Sequence, residues 1–390
     1  MKPNVGVFFG GRSVEHEVSI ISGLQVVHAI DADLYCVTPV YISKTGEWYI
    51  GAKLSEIDNF KQLETLLSES TEVTPHGNGG QLELYRVPPA RLKNNLVEKL
   101  DIVFPVIHGT NGEDGTLQGL LEMAGVPYAG CDVTASVIGM DKILTKTLLR
   151  GNGIPVVESE SCRMEAWYQD RRAIIDRIQS KLGYPVVVKP ANLGSSIGIS
   201  VAASETELEE AIENAGQYDP SILIERMVTR LKEINASVLG NRDGVEVAAL
   251  EEPLRSSGIL NFADKYQGGK TKGISSTDRV LPAEIPEELA DRIRQLAKET
   301  FSLIGASGVV RIDFLVDEER GDVFVNEINT IPGSLAFYLW EASGVSFAAL
   351  TTRVIKLALE RFREKGRRTY VFDSNLLSLQ GSGGKLGSKR

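Results

Sequence analysis

Apolar positions follow two rhythms along this chain, and the change between them comes near Pro155. Before it, short apolar runs alternate with helical spacing. Val5–Phe9 predicts a buried strand and Gly10-Gly11 a turn. Apolar residues at helical intervals from about Glu15 to Ile30 predict a helix. Tyr35–Ile42 predicts a second strand, and Lys44-Thr45-Gly46 a hairpin turn. Residues 51–98 are polar and weakly patterned, which predicts one helix and little else. Asp101–Ile107 predicts another buried strand, followed by a Gly-rich loop and a helix from Thr116 to Ala124. This strand–loop–helix order predicts an open parallel sheet with its site at the strand C-terminal ends. A helix from about Thr134 to Arg150 is expected to stop at Gly151 and Gly153.

After Pro155 the period shortens. Hairpins are predicted from Pro185–Lys189 to Ile199–Ala202, from Ile234–Leu239 to Val245–Leu250, and from Val309–Val316 to Val323–Ile328. Helices at about 205–215 and 287–304 separate them, so this part predicts α+β units. The whole is therefore α/β followed by α+β. An amphipathic helix from about Phe347 to Lys365 comes last. The Gly/Ser/Lys-rich tail from Gln380 to Arg390 has no apolar pattern and is expected not to fold.

Composition narrows the function classes. A chain of 390 residues suffices for two or three domains. A net charge of -10 excludes a general nucleic-acid binder, which needs a basic face, but allows a local basic pocket for one nucleotide. Cys36, Cys131 and Cys162 form no CxxC pair and no disulfide framework, as expected of a reducing cytoplasm. The N-terminal apolar run is too short for a signal peptide, and no stretch approaches the roughly 20 apolar residues of a membrane span. A soluble cytoplasmic protein with no membrane partner is expected.

Five segments carry candidate chemistry. In Lys189-Pro-Ala-Asn-Leu-Gly194-Ser195-Ser196-Ile-Gly198 a strand ends in a lysine and runs into a Gly/Ser loop. Glycines let backbone N–H groups approach an anion, hydroxyls add donors and the lysine adds a charge, which suits a nucleotide phosphate. The plainer alternative is a hairpin turn with a surface lysine. Arg311-Ile-Asp313 and Glu327-Ile-Asn329 lie on two strands of one predicted hairpin. Residues two apart share a face, so a symmetric register puts Asp313 opposite Glu327 and Arg311 opposite Asn329. Oxygen ligands without His or Cys are what Mg²⁺ prefers, and Arg311 beside them can hold an anion. A solvated face with a salt bridge is the alternative.

Gly10-Gly-Arg-Ser-Val-Glu15-His-Glu17 opens the first helix as a candidate ligand cradle, although acids there also simply favour the helix dipole. His108-Gly-Thr-Asn-Gly-Glu113-Asp114-Gly115 sits at a strand end, with Asp114 a candidate helix cap. The stretch from Arg255 to Arg279 is long, basic and Gly-rich, which suits a lid over a charged ligand better than a disordered excursion. The four histidines show no zinc spacing.

These segments, with Gly139-Met-Asp-Lys142 and Asn326-Glu-Ile-Asn-Thr-Ile-Pro-Gly333, occur in the order found in the D-alanine–D-alanine ligases of the ATP-grasp superfamily. The chain resembles that family from about residue 4 to 365. The resemblance implies a pre-ATP-grasp α/β domain at 1–130 and a two-module ATP-grasp fold at 131–225 and 226–366. The lid then lies at 255–279, and 367–390 is left as a flexible tail. By the same resemblance, Lys142 and Lys189 contact ATP phosphates with Ser195 and Ser196. Glu225 and Glu233 are the adenine-segment and ribose acids, and Arg226 to Val228 the linker that reads adenine. Asp313, Glu327 and Asn329 hold two Mg²⁺ ions, for which Mn²⁺ can substitute.

The resemblance further implies that Arg311 stabilises an acyl phosphate and that Gly333 donates its N–H to the oxyanion. Glu15 would bind the ammonium of the first D-alanine, with Ser195 and Tyr266 completing a hydrogen-bonded link to the lid. His108 would lie near the first substrate's carboxylate, and Lys265 is a further substrate ligand. After Gly333 the chain is about three residues shorter than many relatives, so Ser334 is a candidate for the second carboxylate by proximity alone. Phe262 replaces a lid tyrosine. The partners implied are D-alanine and ATP, in a homodimer. The alternatives are a D-alanine–D-serine or D-lactate ligase, against which Tyr266 speaks, and a non-catalytic nucleotide-binding regulator. Intact Arg311, Asp313, Glu327 and Asn329 oppose the regulator.

Overall fold

The computed structural model describes residues 2–92, 94–254 and 279–370. The predicted lid from 255 to 278, with Lys265 and Tyr266, lies outside the described residues, as do residues 371–390 of the tail.

The first unit is built on β1 (Asn4–Gly10), α1 (His16–Ala29), β2 (Cys36–Ile42) and β3 (Trp48–Ile50). It continues with α2 (Leu63–Ser68), β4 (Thr71–Gly77), β5 (Leu82–Arg86), β6 (Leu96–Leu100), β7 (Ile102–Pro105) and α3 (Thr116–Ala124). Its seven strands run in the order β6-β5-β4-β3-β2-β1-β7. The expected parallel core is present as β2–β1–β7. From β3 to β6 the pairing is antiparallel. Residues 51–98 were expected to hold one helix and little else, and this is corrected: they supply three strands. They carry only one or two buried apolar residues apiece, Val73 on β4, Leu82 and Leu84 on β5 and Leu100 on β6, so the alternation is too brief to read.

The expected helix from Thr134 to Arg150 is two helices, α4 (Val133–Met140) and α5 (Lys142–Gly151). Asp141 between them is extended and accepts from the N–H groups of Ile143 and Leu144, so it caps a new helix instead of continuing the old one.

The second unit holds β8 (Ser159–Arg163), α6 (Met164–Gln169), α7 (Arg171–Lys181), β9 (Val186–Pro190), β10 (Ser200–Ala202), α8 (Glu205–Ala215) and β11 (Ser221–Arg226). Its antiparallel sheet runs β10-β9-β11-β8. The helices cover one face around a core of Trp167, Ile178, Ile212 and Ile224. The third unit holds β12 (Leu231–Asn241), β13 (Gly244–Val247), β14 (Glu252–Pro253), β15 (Arg279–Val280), α9 (Glu287–Leu303), β16 (Gly308–Asp317) and β17 (Asp322–Asn329). It ends in α10 (Phe337–Ala342) and α11 (Phe347–Gly366). Its main sheet runs β13-β12-β16-β17, and β14 pairs with β15 on either side of the predicted lid.

The ends of the chain share one core. Val5, Phe9 and Leu24 pack in the same cluster as Leu339, Trp340, Leu350 and Val354. Trp340 Nε1 also donates to Ser237 Oγ at 2.8 Å, tying α10 to β12. Among the described residues no single helix is long and apolar enough to cross a membrane.

Candidate active site

The three units meet around a cavity of about 530 Å³. Its walls come from the loop heading α1, the loop after β7, the start of α5, the β9–β10 loop, the end of β11 and the polar face of β16 and β17. Of the sequence candidates, Glu15, His108, Lys142, Lys189, Ser195, Ser196, Glu225, Arg226, Val228, Glu233, Arg311, Asp313, Glu327, Asn329 and Gly333 all line it.

At one end Glu15 heads α1, and its carboxylate accepts a short hydrogen bond from Ser195 Oγ. Ser195 and Ser196 both adopt left-handed backbone, with φ of 55° and 57°, so the loop curls back towards Glu15. Such strain in a non-glycine residue is held by its surroundings and gathers at functional loops. His108 is buried, and its partners set its tautomer. Nδ1–H donates to the carbonyl of Ile331 at 2.8 Å, and Nε2 accepts from Ser22 Oγ at 2.8 Å. Ser22 Oγ in turn accepts from the N–H of Ser334 at 3.0 Å. Burial lowers the imidazole pKa further than Glu15 raises it, which fits a neutral ring.

Glu113, quoted in the sequence only as part of its loop, is a site residue that received no role there. Its carboxylate accepts from the N–H of Gly109 at 2.9 Å and from the N–H of Ile331 at 2.8 Å. Burial first, then the charge of Glu15, push its pKa up to about 7. His108 and Glu113 thus hold the two backbone polar groups of Ile331, one residue before the Pro332-Gly333 turn.

In the middle of the cavity the predicted register is present: Arg311 pairs with Asn329 and Asp313 with Glu327. The symmetric hairpin does not continue outward. A bulge after Asp313 pairs Phe314 with Val325 and leaves Asn326 extra. Asn326 therefore also lines the cavity. Arg311 forms a fork on Asp313, with Nε and Nη2 donating at 2.6 and 2.8 Å. Asn329 Nδ2 donates to the same carboxylate at 3.0 Å. Glu327 lies 3.9 Å from the Lys142 ammonium, whose Nζ donates to Leu193 O at 2.7 Å.

At the far end Lys189 pairs with Glu225 at 2.6 Å and donates to Asn326 Oδ1 at 3.3 Å. Lys146, which the sequence did not mark, pairs with the other oxygen of Glu225 at 2.5 Å. Arg226 pairs with Glu158.

Ser334, the candidate for the second carboxylate, is buried and does not line the cavity, and its hydroxyl has no hydrogen-bond partner among the described residues. Ser334, Leu335 and Ala336 all take left-handed φ. Tyr338 and Arg279 also face the cavity. Tyr338 OH donates to Glu251 at 2.8 Å, Arg279 pairs with Glu251 at 3.1 Å, and the guanidinium lies 4.0 Å from the Tyr338 ring centre. The separations involved are long, and no local pattern marks this cluster.

Two family models match. One described as D-ala D-ala ligase N-terminus covers residues 4–131, and one described as D-ala D-ala ligase C-terminus covers 148–356. A D-alanine–D-alanine ligase of Thermosipho melanesiensis is 39% identical over 378 residues, covering 97% of this chain and 99% of that one. One of Acetivibrio thermocellus is 38% identical, covering 93% and 97%. Among solved structures, the D-alanine–D-alanine ligase of Coxiella burnetii aligns with a TM-score of 0.76 at 30% identity, covering 94% and 98%. The VanG D-Ala:D-Ser ligase of Enterococcus faecalis aligns with a TM-score of 0.77 at 30% identity, covering 92% and 100%.

Proposed function

The chain belongs to the D-alanine–D-alanine ligase family, whose ATP-dependent activity joins two D-alanines, and from that premise we propose that ligation in this cavity runs through an acyl phosphate. The observation that carries the proposal is the arrangement along one cavity. Lysines and Glu225 stand at one end, the Arg311–Asp313–Asn329 face in the middle, and Glu15 with His108 at the other.

A carboxylate is a poor electrophile. An oxygen of the first D-alanine's carboxylate attacks the γ-phosphorus of ATP, and ADP leaves. The amine of the second D-alanine then attacks the acyl carbon, loses its proton, and phosphate leaves. Lys142 and Lys189 hold the polyphosphate by charge. Arg311 holds the phosphoryl oxygens and the oxyanion of the tetrahedral intermediate, assisted by the Gly333 N–H. Glu15 holds the ammonium of the first substrate, and Ser195 holds Glu15. Neutral His108 and Glu113 fix Ile331 and so the turn that presents Gly333.

Asp313, Glu327 and Asn329 suit a hard cation. They are oxygen donors on one cavity face, and a carboxylate forked by arginine retains acceptor sites, since its two oxygens offer about four lone pairs. Mg²⁺, or Mn²⁺ in its place, would be held there and supply charge neutralisation of the phosphates. A homodimer is the assembly that family membership favours.

The deciding experiment uses D-alanine labelled with ¹⁸O in its carboxylate. Transfer of one label to inorganic phosphate is expected, and release of unlabelled phosphate with normal dipeptide yield would refute the intermediate.

A further inference from the structure

Lys146 lies on α5 one turn after Lys142, on the same side of the helix. The two lysines go to different places. Lys142 lines the cavity, whereas Lys146 is 2% exposed, does not line it, and meets Glu225 from behind. Glu225 is likewise 2% exposed. One buried carboxylate is thus shared by two ammonium groups, Lys146 on the core side and Lys189 on the cavity side.

We infer that Lys146 is a positioning residue for nucleotide binding, a standing counter-charge that keeps Glu225 paired when Lys189 turns to a phosphate. This rests on the reading that ATP occupies the Lys189–Glu225 end of the cavity.

The physical reason is the cost of an unpaired buried charge. Breaking a buried ion pair by removing one partner is strongly unfavourable, because the remaining ion has lost its water and gained nothing. With Lys189 as its sole partner, Glu225 would hold that lysine back from any ligand. With Lys146 behind it, Glu225 can release Lys189 and still be neutralised. The acid then stays ionised and fixed at the end of β11, as an acceptor facing the cavity. The titration of the pair fits this division. Burial alone would raise the Glu225 pKa, but two ammonium groups outweigh it and hold the carboxyl well below its ordinary range. At Lys146 burial, with the charge of Lys189, outweighs the attraction of Glu225 and Glu327, and its own pKa falls.

The placement follows from the helix break at Asp141. Capping by Asp141 starts α5 at Lys142, and Lys146, one turn on, is buried against Glu225. A helix continuous from α4 would have no such restart.

The test measures binding of a non-hydrolysable ATP analogue, with Mg²⁺, to the full chain, together with the KM for ATP and for D-alanine. Lys146→Met is expected to weaken analogue binding and raise the ATP KM about tenfold, with the D-alanine KM unchanged, the range of coupling seen for contacting charges. Lys146→Arg keeps the charge and should bind within about threefold of wild type. The comparison that isolates the role is Lys146→Met/Glu225→Gln against Glu225→Gln alone. With the carboxylate neutralised, the two should bind within about threefold of each other.

The inference is overturned if Lys146→Met binds the analogue as tightly as wild type. It is also overturned if the double variant falls below Glu225→Gln by the full factor separating Lys146→Met from wild type. Should Lys146→Met not fold, the double variant is expected to fold and the same comparison decides; its failure to fold also refutes the role. Lys189→Met serves as the separate control. Unchanged analogue binding there removes the nucleotide assignment of this end, whatever Lys146 does.

Discussion

Ser195 Oγ and the Glu15 carboxylate are hydrogen-bonded across 180 residues of sequence, joining the β9–β10 loop to the head of α1. The bond closes the cavity on the side where a substrate ammonium would sit, and it couples the loop proposed to hold phosphate to the proposed amino-acid end. Replacing Ser195 with Ala leaves a buried carboxylate short of one donor. Loss of such a partner is worth about 1–3 kcal/mol, or about 5- to 150-fold in kcat/KM for D-alanine. Steady-state kinetics at saturating ATP measures it, and an unchanged D-alanine KM would remove the proposed role of the link.

The same carboxylate is crowded by backbone. A Cβ added to Gly194 would stand 2.8 Å from Glu15 Oε2, and one added to Gly109 2.6 Å from it. Gly194→Ala should therefore displace Glu15 without replacing any charged group. A rise in D-alanine KM exceeding any change in ATP KM is expected. Equal changes in both would place the damage in the phosphate loop instead.

Arg311 is held in place by its fork on Asp313. Arg311→Ala should lower kcat by at least about 10²-fold, as removal of one preformed oxyanion donor does, while the ATP analogue still binds. The pair of measurements is turnover and equilibrium binding. Turnover within about threefold of wild type would exclude the assigned function.

Glu113 makes folding stability depend on pH. Burial, then Glu15, raise its pKa from an ordinary 4.5 to about 7. The native state therefore binds this proton more tightly than the unfolded chain does. The associated stability is present in full below about pH 4.5 and is lost as the pH rises through about 7. Glu113→Gln cannot titrate. Urea unfolding at about pH 5 and about pH 8 should show a smaller loss in the variant than in wild type, and parallel losses would contradict the assignment.

Much of the site could be read from local pattern, because its key face obeys the two-residue period of a strand. Arg311, Asp313, Glu327 and Asn329 follow from that period alone. What escaped had physical causes. The strands between residues 71 and 100 bury too few apolar side chains to mark themselves. Apolar spacing runs through Asp141, so the helix break is visible only in its capping hydrogen bonds. Lys146 on an amphipathic helix looks like a solvated lysine, and its burial depends on a carboxylate on another strand. Ser334 is adjacent to Gly333 in sequence, but it lies in a run of three left-handed residues that no sequence pattern announces.

The bulge at Asn326 gives the β16–β17 hairpin two independent registers, one set at its tip by Asp317 opposite Asp322 and one at its base by Asp313 opposite Glu327. The tip can therefore drift in length over evolutionary time without dragging the base along. A lineage that loses one turn residue can absorb the loss by ironing out the bulge. The trace it would leave is the departure of Asn326, and with it one partner of Lys189.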